Sequence, residues 1–368
     1  MYRKSVSRLA SLIEDPVRRL RFLQTATYPP RRNRWLIQFL LILMAITLFV
    51  LHSGGSIARP TPPLLASIPI PEVPPIQAIS AEPAAADVWT VETTADSETY
   101  SNGLRINNHF LVAAPPRSWL AFPVNGGEPA HRNDPAGVVF HSTESQQLPF
   151  ESDENSELKR VGESLLDYVR RQRAYNFVID RFGRVDRVVA EGEVANHAGH
   201  SVWADDNWFY VNLNHSFLGV AFEADSSQLS PGQVRSAAML IEMLRHRYQI
   251  PASNFVTHAQ VSVNPRNMRV GSHVDWASGF PFQAIGLPDN YVVALPAVWA
   301  FGFECDEHFT VQAAESLKAG IDLAGAVLNR NAAAERLPPD EYTKRLQQRY
   351  RKMLAEVKTE SLDAVAAK

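Results

Sequence analysis

The chain has 368 residues, a formal net charge of −3 at pH 7 and a single cysteine, Cys305. This near-neutral charge argues against a nucleic-acid-binding protein, in which an excess of Lys and Arg shows in the totals. One cysteine excludes an internal disulfide framework and a cysteine-rich zinc finger. The length suits one large domain or two of ordinary size, with enough residues to bury a substantial core.

The first fifty residues predict a membrane anchor. Residues 1–34 carry nine Lys or Arg against two acidic residues, and residues 35–52 follow as an apolar run without a charge. A helix needs ~20 residues to cross a hydrocarbon core, with ~17 as the lower limit, so the run is just long enough. The basic segment predicts a cytoplasmic N-terminus and a single-pass inner-membrane protein whose folded part lies outside the cytoplasm. A cleaved signal peptide ending near residues 56–58 is the alternative.

A proline-rich linker follows at residues 53–87, where eight prolines recur among Ala, Ser and Ile. Such a composition cannot propagate a helix and favours extended polyproline conformations. At ~3.1 Å per residue, the linker could hold a folded domain up to ~100 Å from the membrane. We therefore interpret it as a tether for a domain that acts at a distance from its membrane.

From residue 88 onward, short apolar runs alternate with stretches that have helical spacing. In chain order the pattern predicts a strand at 137–141, a helix at 157–173, strands at 175–180 and 185–190 around a turn at 181–184, a strand at 218–223, a helix from Ser230 to 248 and a strand at 254–258. Residues after about 305 favour helices, most clearly at 340–358. This alternation predicts an α/β or mixed α+β fold.

Two of the predicted strands end at a histidine, His141 and His258. A sheet holds such an imidazole rigidly, although most histidines near strand ends are hydrogen-bonded surface residues. Together with a nearby carboxylate, the two would match a two-histidine, one-carboxylate zinc site with an open fourth position. Hydrolytic zinc needs that open position for water or a carbonyl oxygen. Spacing alone leaves both interpretations open.

Five motifs follow one another along the folded part: VVFHST at 138–143, YNFVIDRFG at 175–183, VANHAG at 194–199, SFLGV at 216–220 and FVTH at 255–258. Their succession resembles the zinc-dependent N-acetylmuramoyl-L-alanine amidase family, which includes phage T7 lysozyme and the peptidoglycan recognition proteins. The resemblance covers roughly residues 135–285. It implies a central mixed β-sheet flanked by helices, with Zn²⁺ in a cleft at one edge.

The resemblance also implies a set of metal ligands. His141 and His258 match the two histidine ligands of the family, and Asp275 is the best match to the third. The interval of 275 − 258 = 17 residues is longer than usual in the family, and Trp276-Ala277 replaces the usual Pro-Gly. An exposed loop aspartate is therefore the alternative for Asp275.

Two candidates compete for the general acid/base. One branch of the family uses a glutamate that matches Ala221 here, whereas the phage-lysozyme branch uses a tyrosine that matches Tyr175. Glu223 is the rival, because side chains alternate along a strand and Glu223 therefore shares a face with Ala221. The same face carries Gly219, which is expected to leave room for substrate.

The resemblance also implies roles for three further residues. His273 stands where the family has a lysine or threonine that stabilises the oxyanion, and a nearby zinc cation would keep its imidazole neutral. His197 and Asn196 match residues near the substrate groove, with Asn196 in place of a frequent tryptophan.

The sequence thus predicts six segments: a basic cytoplasmic segment at 1–34, an anchor at 35–52, a linker at 53–87, lead-in strands at 88–134, a zinc amidase domain at 135–290 and a helical C-terminal extension at 291–368. The implied reaction is hydrolysis of the amide between N-acetylmuramic acid and L-alanine in peptidoglycan or a muropeptide. The alternatives are a non-catalytic peptidoglycan-binding module of the same fold, a membrane-tethered scaffold whose C-terminal helices bind a partner, and a small-molecule amidase. Nucleic acid is not expected as a partner, and no protein partner is indicated.

Overall fold

The computed structural model of the protein describes residues 87–145, 155–225 and 228–366. The predicted basic segment, the anchor and the linker up to residue 86 lie outside these ranges. No helix within them is both long and apolar enough to cross a membrane. The anchor at 35–52 therefore stays a prediction.

The strands of the described residues form three sheets. In chain order they are β1 Thr90–Thr93, β2 Ser97–Tyr100, β3 Arg105–Asn107, β4 Trp119–Pro123, β5 Ala130–Arg132, β6 Gly137–Ser142, β7 Phe177–Ile179, β8 Val185–Arg187, β9 Val202–Ala204, β10 Trp208–Val211, β11 Phe217–Phe222, β12 Phe255–Thr257, β13 Val263–Asn264, β14 Arg269–Val270 and β15 Glu304–Cys305. The largest sheet has the order β1-β2-β3-β8-β7-β11-β6-β12, and the smaller ones are β5-β4-β10-β9 and β13-β14-β15.

The eight-stranded sheet is mixed, as predicted. Its strands β7, β11, β6 and β12 are parallel neighbours, whereas β8 pairs antiparallel with β7 in the predicted hairpin. Because parallel strands end at the same edge of a sheet, β6, β11 and β12 deliver the residues that follow them to one place.

The helices of the described residues are α1 Asn155–Gln172, α2 Leu213–Ser216, α3 Pro231–Tyr248, α4 His258–Val261, α5 Pro296–Trp299, α6 Glu307–Gln312, α7 Glu315–Ala334 and α8 Pro339–Ala366. The start of α3 follows from its sequence. Ser230 Oγ accepts from the Gln233 backbone N–H at 3.1 Å, Gln233 Oε1 accepts from the Ser230 backbone N–H at 3.0 Å, and Pro231 needs no partner for an N–H.

The large sheet is covered on both faces. Alternate residues of β11, namely Leu218, Val220 and Phe222, join the main core together with α3. On the other face, Val178 of β7 packs with Leu166 and Val169 of α1. The prediction of a central mixed sheet with flanking helices is confirmed.

The C-terminal helices pack onto this core. In α8, Tyr350 is buried and its ring meets that of Phe303 edge to face at 4.9 Å. Met353, about one helical turn after Tyr350, is buried in the same core. The helix is therefore held firmly against the domain through its middle turns.

Candidate metal centre

The register of the parallel strands brings the two predicted histidines together. Thr257 of β12 pairs with Phe140 of β6, so the next residues, His258 and His141, lie side by side at this edge of the sheet. The Gln260 side chain accepts a hydrogen bond from the Thr257 backbone N–H at 3.0 Å and fixes the turn from β12 into α4. The two imidazole centroids lie 4.5 Å apart.

Asp275 completes the cluster. Its Oδ1 lies 2.9 Å from His258 Nδ1, and its Oδ2 lies 3.4 Å from His141 Nδ1. All three side chains are buried, and one ligand atom from each lies within 4.8 Å of the others. Within the described ranges, this is the only group of three or more His, Cys, Asp or Glu residues that could hold a metal ion.

The long interval before Asp275 does not displace it. The Ala259 backbone N–H donates to the Asp275 carbonyl oxygen at 3.3 Å and ties the loop to α4. Trp276 is buried with a left-handed backbone (φ 66°), and the Tyr291 hydroxyl donates to its carbonyl oxygen. Trp276 thus anchors the chain at the position where the family usually has proline.

The three side chains suit a divalent cation. The only ion-pair partners of the buried Asp275 carboxylate among the described residues are imidazoles. Burial alone would raise the pKa of Asp275, but His258 and His141 hold it far below its usual range. Burial, reinforced by His258, lowers the pKa of His141 to about 4, so its imidazole is neutral. Two imidazoles and one carboxylate define the class of three-ligand metal sites that zinc hydrolases use.

His197 fixes which nitrogen of His141 carries the proton. The Nε2 of His197 lies 3.3 Å from the Phe217 carbonyl oxygen, and because a carbonyl only accepts, this nitrogen carries the hydrogen. Burial keeps the pKa of His197 well below its ordinary value, so the ring is neutral and its Nδ1 accepts. His141 Nε2, 3.1 Å from that Nδ1, therefore donates. The lone pair of His141 then lies on Nδ1, which faces Asp275, as a metal ligand requires.

The space beside Gly219 is filled by His197. A Cβ at position 219 would come within 2.6 Å of the His197 Cγ, which corrects the expectation that Gly219 leaves room for substrate. Asn214 Oδ1 holds the loop by accepting the backbone N–H groups of His197 at 2.9 Å and Ala198 at 2.6 Å. The residue predicted in the substrate groove thus lies buried against His141.

We expect His197→Ala to weaken zinc binding by about 10–100-fold, because His141 loses the acceptor that fixes its tautomer. His197→Asn, whose side-chain oxygen accepts near the position of Nδ1, should retain more affinity. Competition with a chromophoric chelator measures both, with exposed His308→Ala as the matched control. Equal zinc affinity in His197→Ala and the control would contradict the conclusion that His197 fixes the tautomer of His141.

Tyr175 and His273 each lie beside one of the two histidines. The Tyr175 ring centroid is 5.1 Å from that of His141, and the His273 ring stacks on His258 at 4.5 Å. Burial, with a contribution from Asp275, raises the pKa of Tyr175, so its hydroxyl stays protonated at neutral pH. Burial and then His258 lower the pKa of His273, which favours its neutral imidazole.

The remaining predicted residues fall in two different cavities. Tyr175 lines a cleft of about 340 Å³ together with Thr143 and Asn196. The Nδ2 of Asn196 donates to the Gln172 carbonyl oxygen at 3.2 Å. Glu223 instead lines a cavity of about 330 Å³ with Asp180 and Asp186. Burial raises the pKa of Glu223. The structure therefore groups Tyr175, and not Glu223, with the three ligands.

The segment that carries this site matches a known family. Residues 131–275 match the family described as N-acetylmuramoyl-L-alanine amidase, a segment that includes both histidines and ends at Asp275. The match spans less than half of the chain. It confirms the predicted resemblance for this segment, and the matched family is one of enzymes, as predicted. No curated protein matches the chain.

Solved structures give weaker likenesses. AmiD from E. coli, in complex with the substrate anhydro-N-acetylmuramic acid-L-Ala-D-γ-Glu-L-Lys, is 21% identical over 43% of this chain and 58% of its own, with a TM-score of 0.32. AmpDh3 from Pseudomonas aeruginosa is 20% identical over 41% and 58%, with a TM-score of 0.31. Drosophila PGRP-LB is 17% identical over 42% and 85%, with a TM-score of 0.28. This chain therefore spans less than two thirds of the length of AmiD and AmpDh3. TM-scores this low support no inference about activity.

The supporting residues around His141 were not identified from the sequence. Nothing in the pattern marks Asn214 or the Phe217 carbonyl as partners of His197. One signal was present, because a glycine inside a buried strand, such as Gly219, often marks the close approach of another group.

Proposed function

We propose that the protein is a zinc-dependent N-acetylmuramoyl-L-alanine amidase that hydrolyses the amide between N-acetylmuramic acid and L-alanine in peptidoglycan or a muropeptide. One observation carries the proposal: His141, His258 and Asp275, far apart in the chain, meet inside the segment that matches the family. A module that only bound peptidoglycan would not need the complete ligand set.

Each of five residues has its own role in the proposed reaction. His141 and His258 would hold zinc through nitrogen lone pairs, and Asp275 would supply negative charge. Zinc held there would polarise a carbonyl group and lower the pKa of a water molecule to ~7. The protonated Tyr175 hydroxyl is a hydrogen-bond donor beside His141. The neutral His273 is an N–H donor beside His258, suited to an oxygen that gains negative charge.

We expect His273→Ala to keep zinc but to lower turnover by about 100-fold, since loss of an oxyanion donor costs ~3 kcal/mol in the barrier. Zinc content measured by atomic emission and turnover measured on the same preparation separate the two effects. His273→Lys, which restores the residue common in the family, should recover part of the rate. Full turnover in His273→Ala would remove His273 from the mechanism.

The direct test uses anhydro-N-acetylmuramic acid-L-Ala-D-γ-Glu-L-Lys as substrate and mass spectrometry to detect the released tripeptide. We expect release by the zinc-loaded protein, loss after chelation and recovery when zinc is restored. Binding of this compound without cleavage would instead identify a peptidoglycan-binding module.

We also propose that residues 35–52 attach the protein to the inner membrane and that the linker at 53–87 carries the domain outward. The apolar run and the proline-rich composition support this arrangement. Carbonate extraction of cell membranes tests the attachment, and N-terminal sequencing of the mature chain distinguishes an anchor from a cleaved signal peptide. A chain that begins after residue 58 would contradict the anchor.

A further inference from the structure

We propose that helix α8 forms one wall of a subsite that binds free carboxylates of the stem peptide; this inference rests on the proposed function and extends it. A cleft of about 630 Å³ lies between the end of this helix and three segments of the amidase-family domain. The helix contributes Leu354 and Lys358, and the domain contributes residues 199–200, 262–266 and 272–273.

One end of the cleft reaches a residue that contacts the metal centre. His273 lines it, and the ring of His273 stacks on the ligand His258 at 4.5 Å. A molecule at the His273 end of the cleft therefore lies close to the ligand His258. Since an extended peptide advances ~3.3–3.6 Å per residue, the residues that follow L-alanine lead away from the scissile amide.

The charges favour a carboxylate in this cleft. Arg266 and Lys358 line it, both are exposed, and neither forms an ion pair with a described residue. No Asp or Glu is among its described lining residues. The carboxylate-bearing peptide is thus directed to the His273 side of the centre.

The wall contributed by α8 is rigid and lies outside the segment shared with the family. Tyr350 and Met353 bury the helix one to two turns before Lys358. The Gln347 side chain donates to the Gly302 carbonyl oxygen at 2.8 Å and fixes the preceding turn. The family match ends at residue 275, so α8 gives this chain a specificity element of its own.

The chemistry of the ligand follows from its linkage. A γ-linked glutamate after L-alanine leaves its α-carboxylate free, one residue beyond the scissile amide. This carboxylate is the group that Arg266 and Lys358 are placed to meet. Its conversion to a carboxamide removes the charge and keeps the shape, which gives a matched pair of substrates.

The experiment compares kcat/KM on anhydro-N-acetylmuramic acid-L-Ala-D-γ-Glu-L-Lys and on its glutamate α-carboxamide. We expect the zinc-loaded wild type to prefer the acid by about tenfold, the combined size of two exposed charge contacts. The double variant Arg266→Gln/Lys358→Gln should bring this preference close to one. The control Arg351→Gln/Lys352→Gln also removes two positive charges, here from the exposed side of α8, and should leave the preference for the acid unchanged.

An unchanged preference in Arg266→Gln/Lys358→Gln, or an equal loss in the control, overturns the subsite. If the zinc-loaded wild type cleaves neither compound, the proposed function fails, and calorimetry then tests the subsite alone. The tripeptide L-Ala-D-γ-Glu-L-Lys should bind more tightly than its carboxamide, and Arg266→Gln/Lys358→Gln should abolish the difference. Equal affinities of the two peptides for the wild type would also overturn the proposal.

Discussion

Asp275→Asn is expected to release zinc and to lower turnover by about a thousandfold, since Lewis-acid stabilisation of about 4 kcal/mol is lost. Asparagine keeps the volume and shape of the aspartate, so the change removes a charge without leaving a cavity. The two imidazoles then face a neutral amide instead of the carboxylate that lies 2.9 Å and 3.4 Å from their Nδ1 atoms. Zinc content and turnover are measured on the same preparation.

The matched control is Asp322→Asn, an exposed aspartate on α7. Thermal unfolding of both variants in the presence of a chelator shows whether Asp275→Asn still folds, which separates loss of metal from loss of structure. A folded Asp275→Asn protein that retains stoichiometric zinc and wild-type turnover would contradict the assignment of Asp275 as a ligand.

Tyr175→Phe is expected to lower kcat by about 10²–10³ and to leave zinc content unchanged, because in the proposed mechanism the hydroxyl donates a hydrogen bond to the reacting groups. Burial and Asp275 raise the pKa of this hydroxyl, which excludes a phenolate base at neutral pH. The loss should therefore be similar at all pH values between 6 and 9. Single-turnover kinetics across this range test the prediction.

Glu223→Gln provides the comparison that decides between the two acid/base candidates. Glu223 Oε2 accepts the Arg181 backbone N–H at 3.2 Å, and its cavity is shared with Asp180 and Asp186. We therefore expect Glu223→Gln to retain most of the activity. A large loss of kcat in Glu223→Gln, with little effect in Tyr175→Phe, would reverse the assignment.

The central part of the fold could be predicted because its signals are local. Apolar runs predict the strands that lead to His141 and His258, and Ser230-Pro231 predicts the start of α3, where the capping interactions are formed. The smaller sheets were not predicted. β9 and β10 are only three and four residues long, and their Trp-rich sequences show no clear alternation between buried and exposed positions.

The candidate site was predictable in its ligands and not in its supporting contacts. Strand ends and the order of motifs pointed to His141 and His258, whereas the meeting of both with Asp275 depends on the register of β12 against β6. The hydrogen bond between His141 and His197 depends on a contact of His197 with the backbone carbonyl oxygen of Phe217. Every residue has such a carbonyl, so no sequence pattern marks this one. The cleft under α8 depends on how a helix outside the motif region packs, which is a tertiary property.

The central claim is that His141, His258 and Asp275 bind one zinc ion, and X-ray absorption spectroscopy of the zinc-loaded full chain tests it most directly. We predict one zinc per chain with two imidazole nitrogens at ~2.0–2.1 Å and a carboxylate oxygen at ~2.0–2.2 Å, and loss of this spectrum in His141→Ala. A spectrum that shows a sulfur ligand, or one that persists unchanged in His141→Ala, would contradict the account.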